Sequence, residues 1–408
     1  MHIPSERVHK EMCSEVASLW VVPANEGQEI AVLIKSPTAS IKALVEGCNS
    51  EIVFGLKKRY LCSGIRISDV SDSPLFISGA VRHEEEHQAI ARLLREKVSP
   101  IFLFNEMDVC LAWSNIALTD SDAERTVNFL GDIDTLYTGN FDASCSFSLD
   151  CFCYSTDKTQ TFPGVFEIPL VLINANIEPW RINNNTFIGI RESHTVVINE
   201  GNEGEVFERA IWASIESVFP LTIYKNPQIK IGGNTREFTD VLAFYQYGSF
   251  LIEAKDLSIL QSGFDRNIER RIKGVQKQVK KAIGQLVGSC KALKRGDNIF
   301  DAIGTELNVE REKPPHCIIL ITEMLHSGDW TEIENGLIKA MKSTGAFFHL
   351  LDFRELIVLL KGSSGKPELL DYNLMERCRS FVQCKSVHIR SQVVLNNSIQ
   401  PTANTSAD

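Results

Sequence analysis

FTDVLAFYQYGSFLIEAKD, residues 238–256, sets Asp240, Glu253 and Lys255 into two runs that otherwise read as buried strand. Strand side chains alternate, so Asp240 shares a face with Leu242 and Phe244. Glu253 and Lys255 project together to one face, and Ile252 and Ala254 to the other. Gln246 to Ser249 supplies a turn, and a hairpin closed there brings Asp240 toward Glu253 and Lys255. Charges among apolar strands are costly unless paired or metal-bound. A lone E-x-K is ordinarily a sheet-edge ion pair, so the flanking sequence decides between the two.

Upstream, GEVFERAIWASIESVF (204–219) reads as a helix with Phe207, Ile211, Ile215 and Val218 on one apolar stripe. At ~100° per residue, Glu208 lies about 60° from Ile211, at the margin of that stripe. Glu205 and Glu216 fall further round, toward water. Downstream, a long helix from about Asp265 to Arg295 buries Ile272, Val275, Val279, Ile283, Leu286, Cys290 and Leu293. Gln278 and Gln285 lie within about 20° of each other on one flank. Lys273, Lys277, Lys280, Lys281 and Lys291 fill much of the other. Residues 266–295 hold ten basic residues and one acid, a local +9 in a chain of net −10, so the remainder carries −19. Such segregation suits a surface that tracks phosphates.

The elements after residue 200 alternate in a way that specifies an α/β domain. Strands QIKIGG, REFTDVLAFYQ and FLIEAKDL precede the basic helix. Strand CIILITEM, helix Trp330 to Ser343, strand AFFHLL and helix Phe353 to Lys361 follow it. Residues 1–200 read as a β-rich α+β domain with helices at Arg82 to Lys97 and Asp122 to Leu136. The polar run Asn199 to Gly204 separates the two. Gly362 to Lys366 reads as a flexible joint leading to a C-terminal extension, 363–408, whose polar end is expected to be disordered.

At 408 residues the chain is long enough for two or three domains, and 44% hydrophobic and 23% charged residues are ordinary for a globular protein. No apolar run is long enough to cross a membrane, and the N-terminus lacks a secretory apolar segment. Eleven cysteines, an odd number without paired CxxC spacing, read as reduced thiols of a cytoplasmic protein. The negative net charge excludes a uniformly basic coat for nucleic acid, but not a local basic patch.

In this order, GEVFE with Glu208, FTD with Asp240, EAK with Glu253 and Lys255, and GQLVGS with Gln285 resemble the PD-(D/E)xK nuclease superfamily. That group includes restriction endonucleases, RecB-like nucleases, archaeal Holliday-junction resolvases and NERD-like domains. The resemblance covers about Gly204 to Leu360. Thr239 stands where a proline is common, and Ser289 stands where the RecB-type Q-x-x-x-Y has its tyrosine; Gln278 competes with Gln285.

The resemblance implies a restriction-endonuclease-like mixed sheet flanked by helices, over residues 201–362. It implies a metal-dependent nuclease that hydrolyses DNA, in a setting such as microbial restriction or anti-phage defence. Asp240, Glu253 and the main-chain carbonyl of Ala254 would hold Mg2+ or Mn2+, with Glu208 completing the site through water. Lys255 would orient the attacking water or neutralise the developing charge, and Gln285 would position the phosphate or Lys255. Lys273, Lys277, Lys280 and Lys281 would bind the nucleic acid, with homo-oligomerisation left open. Residues 1–200 would sense a trigger or recognise substrate.

Two rivals remain at this level. One is a nuclease-fold protein that binds nucleic acid as a scaffold without turnover. The other is a zinc peptidase, because His83-Glu84-Glu85-Glu86-His87 satisfies H-E-x-x-H. Its three glutamates are also what a helix N-terminus favours.

Overall fold

The computed structural model describes residues 2–69, 74–157, 164–174, 176–190, 193–198, 203–231, 234–255, 268–322, 324–325 and 328–391. It is a mixed α/β molecule with several sheets, and the second half is built on a five-stranded one. In spatial order its strands are Ile223–Lys225, Val241–Tyr245, Gly248–Lys255, His316–Ile321 and Phe347–Asp352. The first three run antiparallel, because the two-residue turn Gln246–Tyr247 reverses the chain between Tyr245 and Gly248. The last two are parallel to Gly248–Lys255. Parallel neighbours need long crossovers, here the helices Ile268–Arg295 and Thr331–Thr344.

The strand alternation expected of buried sheets is visible in the two cores. Leu242, Leu251, Cys317, Ile319 and Ile321 pack with Val275, Val279, Leu286 and Leu337. Val241, Ala243, Phe250, Ile252, Ile318 and Leu320 pack on the other face with Phe207, Ile211, Ile215, Leu356 and Leu374. Helices thus cover both faces, and Asp240, Glu253 and Lys255 belong to the face of the long basic helix.

The first half has two sheets. One is ordered Ser18–Ala24, Glu29–Lys35, Val98–Phe104, Cys110–Ala117 and Arg181–Ile182, and Asn176–Ile177 also pairs with Cys110–Ala117. The other is ordered Leu75–Val81, Tyr60–Ile67, Ser50–Lys57 and Leu170–Asn174. A shared core with Ile90, Leu93 and Leu94 of helix Glu84–Glu96 joins them. Helices Glu6–Ser14, Thr38–Val45 and Ala143–Thr156 were not expected from the sequence. The last, ASCSFSLDCFCYST, has few strong helix formers. Packing compensates: Phe152 sits so close to Gly55 that a Cβ there would lie 2.3 Å from its ring.

The expected boundaries need two corrections. Hairpin Asn185–Ile188/Ser193–Val196 docks on helix Glu203–Glu216: Arg209 Nη1 donates to the Thr195 carbonyl at 2.8 Å, and Val196 joins the second core. The second unit therefore begins before residue 200; of the proposed joint, residues 199–202 lie outside the described residues. In place of the flexible joint expected at Gly362–Lys366, Gly362 and the buried Ser363 end helix Phe353–Ser363, and Ser364, left-handed at φ 50°, and Gly365 turn the chain. The following helix Pro367–Cys384 belongs to the same unit. Arg377 donates to Glu355 at 3.2 Å and to the Leu350 carbonyl at 3.0 Å, and Asp371 pairs with His316 at 2.9 Å. Residues 392–408, expected to be disordered, lie outside the described residues.

The halves meet at the turn Asn105–Val109, which places Met107 against the second core. Asp108 pairs there with both Lys35 and Lys361. Lys35 is fully buried, and its Nζ also donates to the carbonyls of Met12 at 2.8 Å and Glu15 at 2.7 Å.

Candidate active site

The hairpin ladder ends at the pair Val241–Ile252, and beyond it the two strands diverge. Thr239, in the position where proline is common, is buried and donates its hydroxyl to the Ile252 carbonyl at 2.8 Å. Asp240 then takes over the role of a ladder partner: its Oδ2 accepts the main-chain N–H of Ala254 at 2.7 Å. An N–H and C=O of one strand residue point to the same side, so the Ala254 carbonyl also faces the Asp240 edge.

Lys255 closes the constellation. Its Nζ donates to Glu253 Oε2 at 2.8 Å and lies 3.4 Å from Asp240 Oδ2. Only 3% of the Glu253 side chain is exposed, against 20% for Asp240. Burial, then the Asp240 charge, pushes the Glu253 carboxyl up to about 7, with Lys255 opposing and Glu237 adding to the rise. Burial alone would lower Lys255, but Glu253 and Asp240 hold it above its ordinary value.

Glu237 is the functional candidate that the sequence reading missed. Burial and then Asp240 raise its carboxyl, with Lys255 and Glu208 also acting on it. Asn226, its amide nitrogen turned toward them, donates to Glu237 Oε1 and to the Asp240 carbonyl, each at 3.0 Å. Asn226 adopts a left-handed φ of 46°, and its main-chain N–H donates to the same Asp240 carbonyl at 2.8 Å. The only sequence signal was an acid three positions before Asp240. That spacing carries no meaning until strand Asn234–Glu237 is seen to end beside the hairpin.

The other expected residues divide. Glu208 is half-buried and its described partner is Lys225, at 3.5 Å; it acts on Glu237 by charge and shares no described contact with Asp240 or Glu253. Ser289 Oγ bonds the Phe238 carbonyl, which sets that face of the basic helix against the strand leading to Asp240. Gln285 lies one turn earlier on the same face and is exposed. Lys273, Lys277, Lys280 and Lys281 are all exposed. Lys281 and Lys277 lie about 40° and 80° round from Gln285, nearer its flank than expected. Lys273 and Lys280 lie about 120° and 140° round, and Lys280 pairs with Glu332 at 2.5 Å. Residues 265–267, including Arg266, lie outside the described residues.

Two carboxylates and a strand carbonyl offer hard oxygen donors suited to a divalent cation, and a buried Glu253 pushed to about 7 is short of positive charge. Among the described residues, the only group of three potential ligands with all donor atoms within 4.8 Å is elsewhere: Glu11, His83 and Glu86. That cluster does not follow the H-E-x-x-H pattern. His83 precedes its helix as the N-cap, and His87 is buried against the Val81 carbonyl at 3.4 Å. Arg7 pairs with Glu11 and Glu86, and Arg82 with Glu11. The eleven cysteines are free.

No known family, curated protein or solved structure matches this chain. Among the described residues, no helix is long and apolar enough to cross a membrane.

Proposed function

We propose that this chain is a metal-dependent nuclease that hydrolyses DNA phosphodiester bonds. The observation that carries the reading is the convergence of Asp240, Glu253 and Lys255 at the diverging end of one hairpin. The order of elements around it supports the same reading. A helix bearing Glu208, a strand that Asp240 leads into, the next strand with Glu253 and Lys255, and a basic helix with Gln285 follow in the order of the PD-(D/E)xK resemblance. The preference for DNA rests on that resemblance.

Asp240, Glu253 and the Ala254 carbonyl would hold Mg2+ or Mn2+, which supplies Lewis acidity toward the phosphate and its attacking water. Asp240 Oδ2 is committed to the Ala254 N–H, while Oδ1 accepts no hydrogen bond among the described residues. Lys255, fixed by Glu253, stabilises charge building on the phosphoryl oxygens. Lys277 and Lys281, both exposed on the basic helix, would hold the nucleic-acid backbone.

The test is cleavage of supercoiled plasmid with Mg2+, with EDTA, and by the variants Asp240→Asn and Lys255→Ala. Cleavage that needs Mg2+ and falls by on the order of 10³-fold in each variant is expected. Cleavage that survives both substitutions removes the site assignment. DNA binding without cleavage favours the scaffold alternative.

A further inference from the structure

Cys290 of helix Ile268–Arg295 and Cys317 of strand His316–Ile321 meet beneath the basic helix, 27 residues apart in the chain, with their sulfurs 3.1 Å from each other. Both side chains are buried, at 1% and 0% exposure. The separation is only about 1 Å more than the ~2.05 Å of an S–S bond.

The surroundings hold the two thiols in register. Cys317 stands between Leu251 and Phe348 of the neighbouring strands, on the sheet face that the helix covers. Leu286 and Leu293 seat the helix in that same core. Cys290 follows Ser289, whose hydroxyl bonds the Phe238 carbonyl, so the turn that carries the thiol is already fastened to the strand leading to Asp240. Sulfurs brought together by elements already in place need only a small side-chain adjustment to bond.

We propose that Cys290 and Cys317 are a site of reversible oxidation, where a small neutral peroxide installs a disulfide that staples the basic helix to the sheet. While the helix is closed the pair is unreactive, because burial raises the Cys317 thiol well above its ordinary value and Cys290 adds to the rise. Reaction therefore waits on local opening of the helix, which carries Cys290. The Cys290 thiolate attacks one peroxide oxygen and the O–O bond breaks. The departing hydroxide takes up the thiol proton as water and leaves a sulfenic acid. As the helix closes, the Cys317 sulfur attacks the sulfenic sulfur, the S–O bond breaks, and the second thiol proton leaves in a second water. Two thiols give up two electrons, and one peroxide becomes two waters. The new bond closes the loop between helix and strand, so the oxidised chain unfolds at a higher temperature.

The test treats the folded full chain with hydrogen peroxide, blocks the remaining thiols with N-ethylmaleimide in denaturant, and maps peptides without reductant. A linked pair joining Cys290 to Cys317 within one chain is expected, and dithiothreitol should remove it. Oxidised protein should melt about 5 °C or more above reduced protein. Cys290→Ala should abolish the link and the shift, whereas Cys378→Ala, at another buried thiol, should keep both. Circular dichroism confirms that both variants are folded. No link, a link that forms only after unfolding, Cys290 joined equally to other cysteines, or a link that leaves the melting temperature unchanged overturns the proposal. None of these readouts involves DNA cleavage.

Discussion

Asp240 Oδ2 stands 2.7 Å from the backbone nitrogen of Ala254, so a side chain replaces the ladder partner that the diverging strands have lost. The same atom faces Lys255, which in turn holds Glu253. The acidic positions are thereby fixed by backbone as well as by charge, and changes there have consequences that can be measured separately.

The Glu253 carboxyl, at about 7, lies above its ordinary 4.5. A raised carboxyl adds stability below the ordinary value, and that stability is lost as pH rises from 4.5 through 7. In EDTA, Glu253→Gln should therefore melt higher than the parent protein at pH 8, with the difference vanishing near pH 5. Melting curves across that range check it, and a variant less stable at pH 8 would contradict the assignment.

On the proposed reading, metal binding would displace the Glu253 proton below about pH 7. Mg2+ affinity should fall by up to about tenfold per pH unit on the acid side. Glu237→Gln removes a neighbouring negative charge and should move that dependence to lower pH. Titration calorimetry in two buffers gives both affinity and proton release. An unshifted profile in the variant would exclude Glu237 from the site's electrostatics.

Lys277 and Lys281 lie on the side of Gln285, while Lys280 is engaged by Glu332. Lys277→Ala and Lys281→Ala should each weaken DNA binding and reduce the salt dependence by about one unit of slope. Lys280→Ala should change both much less. Fluorescence anisotropy at several salt concentrations distinguishes this from a uniformly basic helix, on which all three substitutions would act alike.

Asp108 is held by one lysine from each half, Lys35 and Lys361. Asp108→Ala strands the buried Lys35 ammonium and should cost about 3–5 kcal/mol. Lys361→Met leaves the Asp108–Lys35 pair intact and should cost clearly less. Denaturant titration of both variants measures the difference. Equal losses would mean that the inter-unit pair, rather than burial of Lys35, dominates.

The hairpin, the amphipathic helices and the face shared by Asp240, Glu253 and Lys255 were legible because they depend on periodicity. Alternation in VLAFY and FLIEAK fixes faces at two residues per repeat, and the stripe Val275–Val279–Leu286 fixes the buried side of the basic helix. The helix Ala143–Thr156 was not legible, since it has few strong helix formers and is held by packing such as that of Phe152 against Gly55.

The sequence by itself determined which charges lie on which face of each strand, because that follows from local backbone geometry. Tertiary structure alone decided that Glu237 and Asn226 join Asp240 while Glu208 turns to Lys225. It alone decided that residues 367–384 belong to the second unit's core rather than to an extension. Those choices depend on where separate elements end and which surfaces they bury. Long-range packing sets both, and no spacing along the chain records it.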